Sequence, residues 1–184
     1  MVNGWELAGI CKIQTGAPFS VLLTADQPHI DPANPTVSYR GQTETDTTTN
    51  ALGQRPNVVA GCKLTNPGSI TNYINTSCFS FPSSAVTVNG QAGTLLGNSG
   101  RNSLTAPGYQ DADVSLIKND KIGERFVTQF RFEFFNALNH PNLAAPGTTA
   151  FDANGKLITS TFGIIKSTGG NAARQIQYGF KVTF

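Results

Sequence analysis

The sequence predicts an all-β fold of long antiparallel strands, and three observations support this prediction. Four segments alternate between apolar and polar residues with a period of two, which is typical of strands with two unlike faces. A helical reading would instead scatter the aromatic and charged residues of these segments around a cylinder. The 184 residues also include 21 Thr, 16 Asn and 19 Gly, a composition that suits strands, turns and long loops better than helices.

The first strand is expected over about residues 4–23. Pro18 falls late in this segment, so we expect the strand to bend or to leave its hydrogen-bonded ladder there. One face carries Trp5, Leu7, Gly9, Cys11 and Ile13, and the other carries Glu6, Ala8, Lys12 and Gln14, with Ile10 as an exception.

The second and third strands are expected over about residues 109–118 and 124–138. In the second strand, Ala112, Val114 and Leu116 alternate with Asp111, Asp113 and Ser115. In the third strand, Phe126, Phe130, Phe132 and Phe134 share one face, and Arg125, Gln129, Arg131 and Glu133 share the other. Both strands therefore have one apolar and one charged face.

The fourth strand is expected over residues 174–184. Its apolar face is formed by Ile176, Tyr178, Phe180, Val182 and Phe184, which alternate with Gln175, Gln177, Gly179, Lys181 and Thr183.

The connections between these strands are very unequal in length. The first and third connections, residues 24–108 and 139–173, are long, whereas the second connection, residues 119–123, is a short turn. Compact soluble domains rarely contain such long loops. Outer-membrane β-barrels do, because short periplasmic turns alternate with long extracellular loops. We therefore expect both long connections at one end of the sheet and the short turn at the other.

The two faces agree with a barrel whose exterior meets lipid and whose interior is polar. The interior would contain a charge network formed by Asp111, Asp113, Arg125, Arg131, Glu133 and Lys181. The alternative is a soluble antiparallel sheet with one solvated face. Because the smallest bacterial barrels have about eight strands, four strands predict a fragment of a larger barrel.

Other functional classes find little support in the sequence. The net charge is only +2, from 13 basic and 11 acidic residues, so no nucleic-acid partner is expected. His29 and His140 lack further ligands at a recognisable metal-binding spacing. No nucleophile motif or phosphate-binding loop is present. We therefore expect no enzyme activity, no metal and no cofactor.

A set of short motifs, in a consistent order along nearly the whole chain, resembles a known family. The chain is similar to the C-terminal end of Oar-like TonB-dependent outer-membrane receptors, which carry a carboxypeptidase-regulatory-like domain, a plug and a barrel of about 22 strands. The motifs are residues 4–10 (GWELAGI), 14–19 (QTGAPF), 55–61 (RPNVVAG), 75–79 (NTSCF), 97–104 (GNSGRNSL), 113–116 (DVSL), 131–142 (RFEFFNALNHPN), 162–163 (FG) and 174–179 (RQIQYG).

The resemblance implies that residues 1–184 are the C-terminal part of a transmembrane barrel in the cell outer membrane, without the plug. It implies energy-coupled uptake of a scarce or large substrate. The outer loops would bind this extracellular ligand, and a TonB-type complex would act through the missing plug and the rest of the barrel. Both chain ends would face the periplasm. The alternatives are a passive barrel or surface adhesin, or a soluble extracellular carbohydrate-binding β-domain.

Two further expectations depend on this outer-membrane setting. Cys62 and Cys78 lie 16 residues apart in the first long connection, and export through an oxidising periplasm favours a disulfide between them. By resemblance to outer-membrane barrels, Tyr178, Phe180, Val182 and Phe184 are expected to form the signal that the barrel assembly machinery recognises. The unpaired edge of that strand offers backbone groups to such a partner.

Overall fold

The computed structural model describes residues 3–24, 30–31, 34–38, 54–88, 90–94, 97–170 and 173–184. Its strands, in chain order, are β1 (Trp5–Gln14), β2 (Pro18–Phe19), β3 (Leu22–Leu23), β4 (Ile30–Asp31), β5 (Asn34–Ser38), β6 (Asn57–Val58), β7 (Phe79–Ser80), β8 (Ser83–Val88), β9 (Gln91–Thr94), β10 (Leu104–Thr105), β11 (Tyr109–Ile122), β12 (Phe126–Phe135), β13 (Thr149–Phe151) and β14 (Gln175–Thr183). A 3-10 turn, Thr76–Cys78, precedes β7. His29 lies outside the described residues.

Four long strands form one antiparallel sheet in the order β1-β11-β12-β14. The predicted all-β class and the four-stranded antiparallel arrangement are therefore confirmed. Since neighbouring strands alternate in direction, the connections β1–β11 and β12–β14 leave the sheet at the same end. The β11–β12 turn lies at the opposite end, which we call the hairpin end. Both placements agree with the expectation from loop length.

The strand boundaries differ from the predicted ones where the backbone changes its hydrogen-bonding partner. The first strand ends at Gln14 rather than continuing to residue 23, and Pro18–Phe19 pair instead with Leu104–Thr105. Pro18 has no backbone N–H to continue the first ladder. Strand β11 continues to Ile122, beyond the predicted end at residue 118. The turn is therefore only residues 123–125, and Gly123 adopts the positive φ of +67° that this turn requires.

The chain divides into two compact units. The sheet unit comprises Met1–Gly16, Pro107–Ala144 and Ser167–Phe184 and contains the four long strands. The loop unit comprises Ala17–Ala106 and Ala145–Lys166, so it is assembled from both long connections. Its short strands pair as β2 with β10, β6 with β7, β8 with β9 and β4 with β5, and β13 pairs in parallel with β3.

The apolar core of the described residues lies in the loop unit. Phe162 packs edge-on against Phe79, with ring centroids 5.6 Å apart, and Phe81 packs against Phe151 at 5.8 Å. Parallel pairing of β3 with β13 joins the two connections through backbone hydrogen bonds. The buried apolar residues are Val21, Leu23, Tyr73, Ile74, Cys78, Phe79, Leu104, Ala150, Phe151, Phe162 and Ile165.

Candidate functional site

The apolar face of the sheet is a continuous surface formed by cross-strand neighbours. Leu116 lies opposite Phe132, and Phe132 lies opposite Tyr178. On the next row, Phe130 and Phe180 are paired with their ring centroids 4.7 Å apart. Side chains of directly opposed residues share a face, so the predicted grouping of these aromatic residues holds.

This apolar face is exposed rather than covered by another layer. Tyr178 has 70% of its surface accessible, and Leu7, Phe130 and Phe180 are also exposed. Phenylalanines buried against a second sheet would have indicated a soluble sandwich. An exposed row of large apolar residues on a sheet is instead suited to contact with lipid acyl chains.

The predicted charge network lies on the opposite face of the sheet and separates into two groups. In the first group, Arg131 and Glu133 of β12 approach to 3.7 Å. Lys181 of β14 lies beside them, opposite Gln129. Together with Gln177 and Gly179, these residues line a shallow depression of about 280 Å³, in which Gly179 lies opposite Arg131.

The second group is formed by Asp111 and Asp113, near the end of the sheet that carries the long connections. Asp111 accepts a hydrogen bond from the Tyr109 hydroxyl at 3.1 Å and lies opposite Lys12. Asp113 accepts the backbone N–H of Asn136 at 2.9 Å. The Asp111 carboxylate thus contacts a neighbouring phenol, and the Asp113 carboxylate caps the turn after β12. Both contacts stabilise the local structure. Arg125 was predicted on a strand, but the structure places it in the turn of residues 123–125.

Three asparagines of the motif at residues 131–142, to which the sequence assigned no individual role, fix the segment after β12 through their side-chain amides. Asn142 is buried, and its side-chain amide accepts from the Gln110 N–H at 2.7 Å and donates to the Gln110 carbonyl at 2.8 Å. Asn136 is also buried and exchanges two hydrogen bonds with the backbone of His140. Asn139 accepts the N–H of Arg174 at 3.2 Å, just before β14.

A disulfide between Cys62 and Cys78 closes part of the loop unit. Their Cα atoms lie 5.6 Å apart, within the range that a disulfide requires. Cys78 is fully buried beside the core residue Phe79. Nearby, the Asn98 side chain accepts the Val58 N–H at 2.6 Å. The loop unit is therefore fastened by covalent, apolar and amide contacts together.

A second cluster that was missed from the sequence lies near the hairpin end. Lys118 forms a salt bridge with Asp120 at 2.6 Å, and its ammonium lies 5.6 Å from the ring centroid of Trp5. Lys118 is directly opposite both Trp5 and Phe130, so it belongs to the apolar face. Lys118 lies within the predicted second strand, and extending the alternation of that strand by two residues would have placed Asp120 on the same face.

The last strand, β14, forms one edge of the four-stranded sheet. Tyr178, Phe180 and Val182 are exposed on it, and Phe184 follows directly after its last residue. Their role as an assembly signal stays a prediction. The free edge and the exposed alternating side chains are the two features that such recognition needs.

The described residues contain neither a membrane-spanning helix nor a cluster of potential metal ligands. None of their helices is long and apolar enough to cross a membrane. Within the same residues, no group of three or more His, Cys, Asp or Glu side chains is placed to hold a metal ion.

Comparison with known proteins agrees with the faces of the sheet. Residues 1–177 match the family described as outer membrane beta barrel domain, and the chain therefore belongs to this family. No curated protein and no solved structure matches the chain. The protein is a membrane barrel protein of the bacterial outer membrane, and its exposed apolar face is the surface suited to lipid.

Proposed function

We propose that this chain is the C-terminal part of the barrel of a TonB-dependent receptor that imports a scarce or large substrate. The observation that carries the proposal is the loop unit, in which both long connections fold jointly around a buried core and a disulfide. A barrel that only spans the membrane does not need such a unit. A preorganised surface on loops that leave one end of the sheet suits the capture of a ligand.

The polar face of the sheet supports a lumen that is occupied by protein. Arg131, Glu133 and Lys181 are at least partly exposed around the shallow depression of about 280 Å³. In the proposed receptor these groups contact the plug, which forms hydrogen bonds and ion pairs with the interior wall. Energy from a TonB-type complex is transmitted through that plug, which is encoded outside residues 1–184.

The proposal can be tested by solute depletion in cells that produce the protein in their outer membrane. Cells with and without the protein, each in the presence and absence of TonB, are grown in a defined nutrient mixture. Mass spectrometry then measures which solutes each culture removes from the mixture. We expect at least one large solute to be depleted only when both are present. A double variant, Cys62→Ser with Cys78→Ser, should reduce this depletion because the disulfide supports the loop unit.

The matched control is Cys11→Ser, which changes the free and exposed cysteine of the sheet and should leave depletion unchanged. Depletion that persists without TonB would replace the proposal with a passive barrel. If no solute is depleted under any condition, and cells without the protein attach less to surfaces than cells with it, the protein would instead be an adhesin. The soluble carbohydrate-binding alternative is disfavoured by the family match and by the exposed apolar face.

A further inference from the structure

The ion pair of Lys118 and Asp120 is unexpected on the apolar face of the sheet. Both residues alternate with inward-facing neighbours on β11, so they share the face of Val114 and Leu116. Charged side chains on the lipid-facing side of a barrel are costly at the membrane centre and nearly neutral at its boundary. The pair lies within a few residues of the turn at residues 123–125. It therefore marks the membrane boundary at the hairpin end.

The contacts of the Lys118 ammonium indicate the direction in which its side chain extends. It donates to the Asn3 carbonyl at 2.8 Å and to the Asp120 carboxylate at 2.6 Å. Both acceptors lie closer to the hairpin end than the backbone of Lys118, as the pairing of Trp5 with Lys118 shows. This is snorkelling, in which the apolar stem stays in the lipid region while the charge reaches the polar boundary.

The chemistry around this charge matches a zwitterionic headgroup. An ammonium has three donors, and two of those of Lys118 are used by Asn3 and Asp120. Its side chain remains 20% exposed, and that of Asp120 is 50% exposed. The third donor suits a phosphate oxygen, and the exposed carboxylate suits a neighbouring ammonium. Trp5, which is 45% exposed, supplies an amphipathic aromatic surface of the kind enriched at membrane interfaces.

We propose that Lys118, Asp120 and Trp5 form a binding site for the headgroup of a zwitterionic phospholipid, such as phosphatidylethanolamine, at the hairpin-side membrane boundary. The lipid phosphate accepts from Lys118, its ammonium lies against Asp120, and its acyl chains lie along Phe130 and Phe180. The site depends on the barrel fold and its membrane setting, and it is independent of the proposed transport function.

The test is native mass spectrometry of the protein extracted from its outer membrane, with bound phosphatidylethanolamine quantified per protein. Lys118→Met should lower retention roughly tenfold, the factor expected for loss of one charge-assisted hydrogen bond. Lys121→Met is the matched control, because Lys121 lies on the other face opposite Val127. Asp120→Asn should shift the preference towards anionic phosphatidylglycerol, since an unneutralised Lys118 favours a net negative headgroup.

Each outcome decides the proposal in one direction. Equal retention by Lys118→Met and Lys121→Met would overturn it, as would an unchanged lipid preference in folded Asp120→Asn. Displacement of the lipid by equimolar glycerophosphoethanolamine would also overturn it, because the site would then recognise a soluble phosphate. Heat-modifiable gel migration reports folding of every variant. If Lys118→Met does not fold, the test uses Lys118→Arg and Asp120→Asn instead. Lys118→Arg keeps the positive charge and should therefore retain the lipid.

Discussion

The sheet unit and the loop unit of this chain place their apolar residues in opposite ways. In the loop unit, large side chains such as Phe151 and Phe162 are buried, with Phe162 only 1% exposed. In the sheet unit, residues of the same kind, such as Phe130 and Phe180, remain exposed. The fully or nearly fully buried side chains of the sheet unit, among the residues described, are instead polar: Thr128, Asn136 and Asn142.

This difference shows that one chain is folded for two solvents. Apolar burial lowers the free energy of the loop unit because its surroundings are aqueous. Lipid provides no such gain between apolar surfaces, so the sheet unit is held by its backbone ladders and by amide side chains that satisfy strand ends.

Truncation of Phe162 should destabilise the loop unit by about 3–5 kcal/mol, the range for removing a buried aromatic ring. The expected readout is faster hydrogen exchange of loop-unit amides in Phe162→Ala, with the exchange of β11 and β12 unchanged. The matched variant Phe180→Ala removes the same side chain from the exposed face. Comparable loss of loop-unit protection in both variants would contradict a core confined to the loop unit.

Arginine substitution on β14 should distinguish its two faces although the positions are adjacent. Tyr178→Arg places a charge on the apolar face and should cost about 2–4 kcal/mol near the membrane centre. Gln177→Arg places the same charge on the polar face, opposite Glu133, and should be tolerated. The measurement is the urea dependence of barrel unfolding in lipid vesicles. Tyr178 is 70% exposed, so arginine at this position would be tolerated if the apolar face met water. Equal stability of the Tyr178→Arg and Gln177→Arg variants would therefore contradict lipid contact.

Replacement of Asn142 by Leu should destabilise the sheet unit although it makes a buried position more apolar. The change leaves the Gln110 N–H and carbonyl without the Asn142 amide, at a cost of about 1–3 kcal/mol. The expected result is increased hydrogen exchange at the beginning of β11. Asn154→Leu, on an exposed turn of the loop unit, is the control. A more stable Asn142→Leu variant would contradict this, because it would show that the sheet unit is stabilised by apolar burial like the core of a water-soluble protein.

The smallest effect is expected for Tyr73 of the loop unit, whose hydroxyl donates to the Thr105 carbonyl at 2.7 Å. Tyr73→Phe should cost about 1 kcal/mol. Burial raises the pKa of Tyr73 above its ordinary value of 10.0. As the pH rises, the Tyr73 hydroxyl therefore loses its proton in the unfolded chain before it does so in the folded chain. Its contribution to the free energy of unfolding is complete below pH 10 and is lost as the pH rises through the folded pKa.

The variant should accordingly reduce the alkaline loss of loop-unit stability, followed by hydrogen exchange or by proteolysis between pH 9 and pH 11. The control is Tyr178→Phe, because Tyr178 is exposed on the sheet. An identical alkaline loss in Tyr73→Phe and in the unsubstituted protein would exclude Tyr73 as its source.

The alternation of residues was sufficient to predict the four long strands and their two faces. It could do so because a strand side chain points either to one face or to the other. It did not predict the end of the first strand at Gln14 or the extension of β11 to Ile122. Those boundaries depend on which partner strand offers hydrogen bonds. Asp120 was not placed beside Lys118 because the predicted second strand ended at residue 118.

The pairing of the long connections into one unit could not be read from local patterns. Strand β3 pairs with β13 across more than a hundred residues of sequence, and Phe79 of the first long connection contacts Phe162 of the second. Such contacts depend on long-range packing, which leaves little periodic signal in polar, glycine-rich loops. The role of Asn142 is equally non-local, since its side chain bonds to the backbone of Gln110 on β11.

The sequence by itself determined the all-β class, the apolar and polar faces, and the unequal connections, because each follows from side-chain order along single strands. The tertiary structure alone decided where apolar residues are buried, how the charged residues divide into separate groups, and that Lys118 pairs with Asp120 beside Trp5. These features arise from cross-strand register and from contacts between distant segments, and both are set by the free energy of the whole fold rather than by any one stretch of residues.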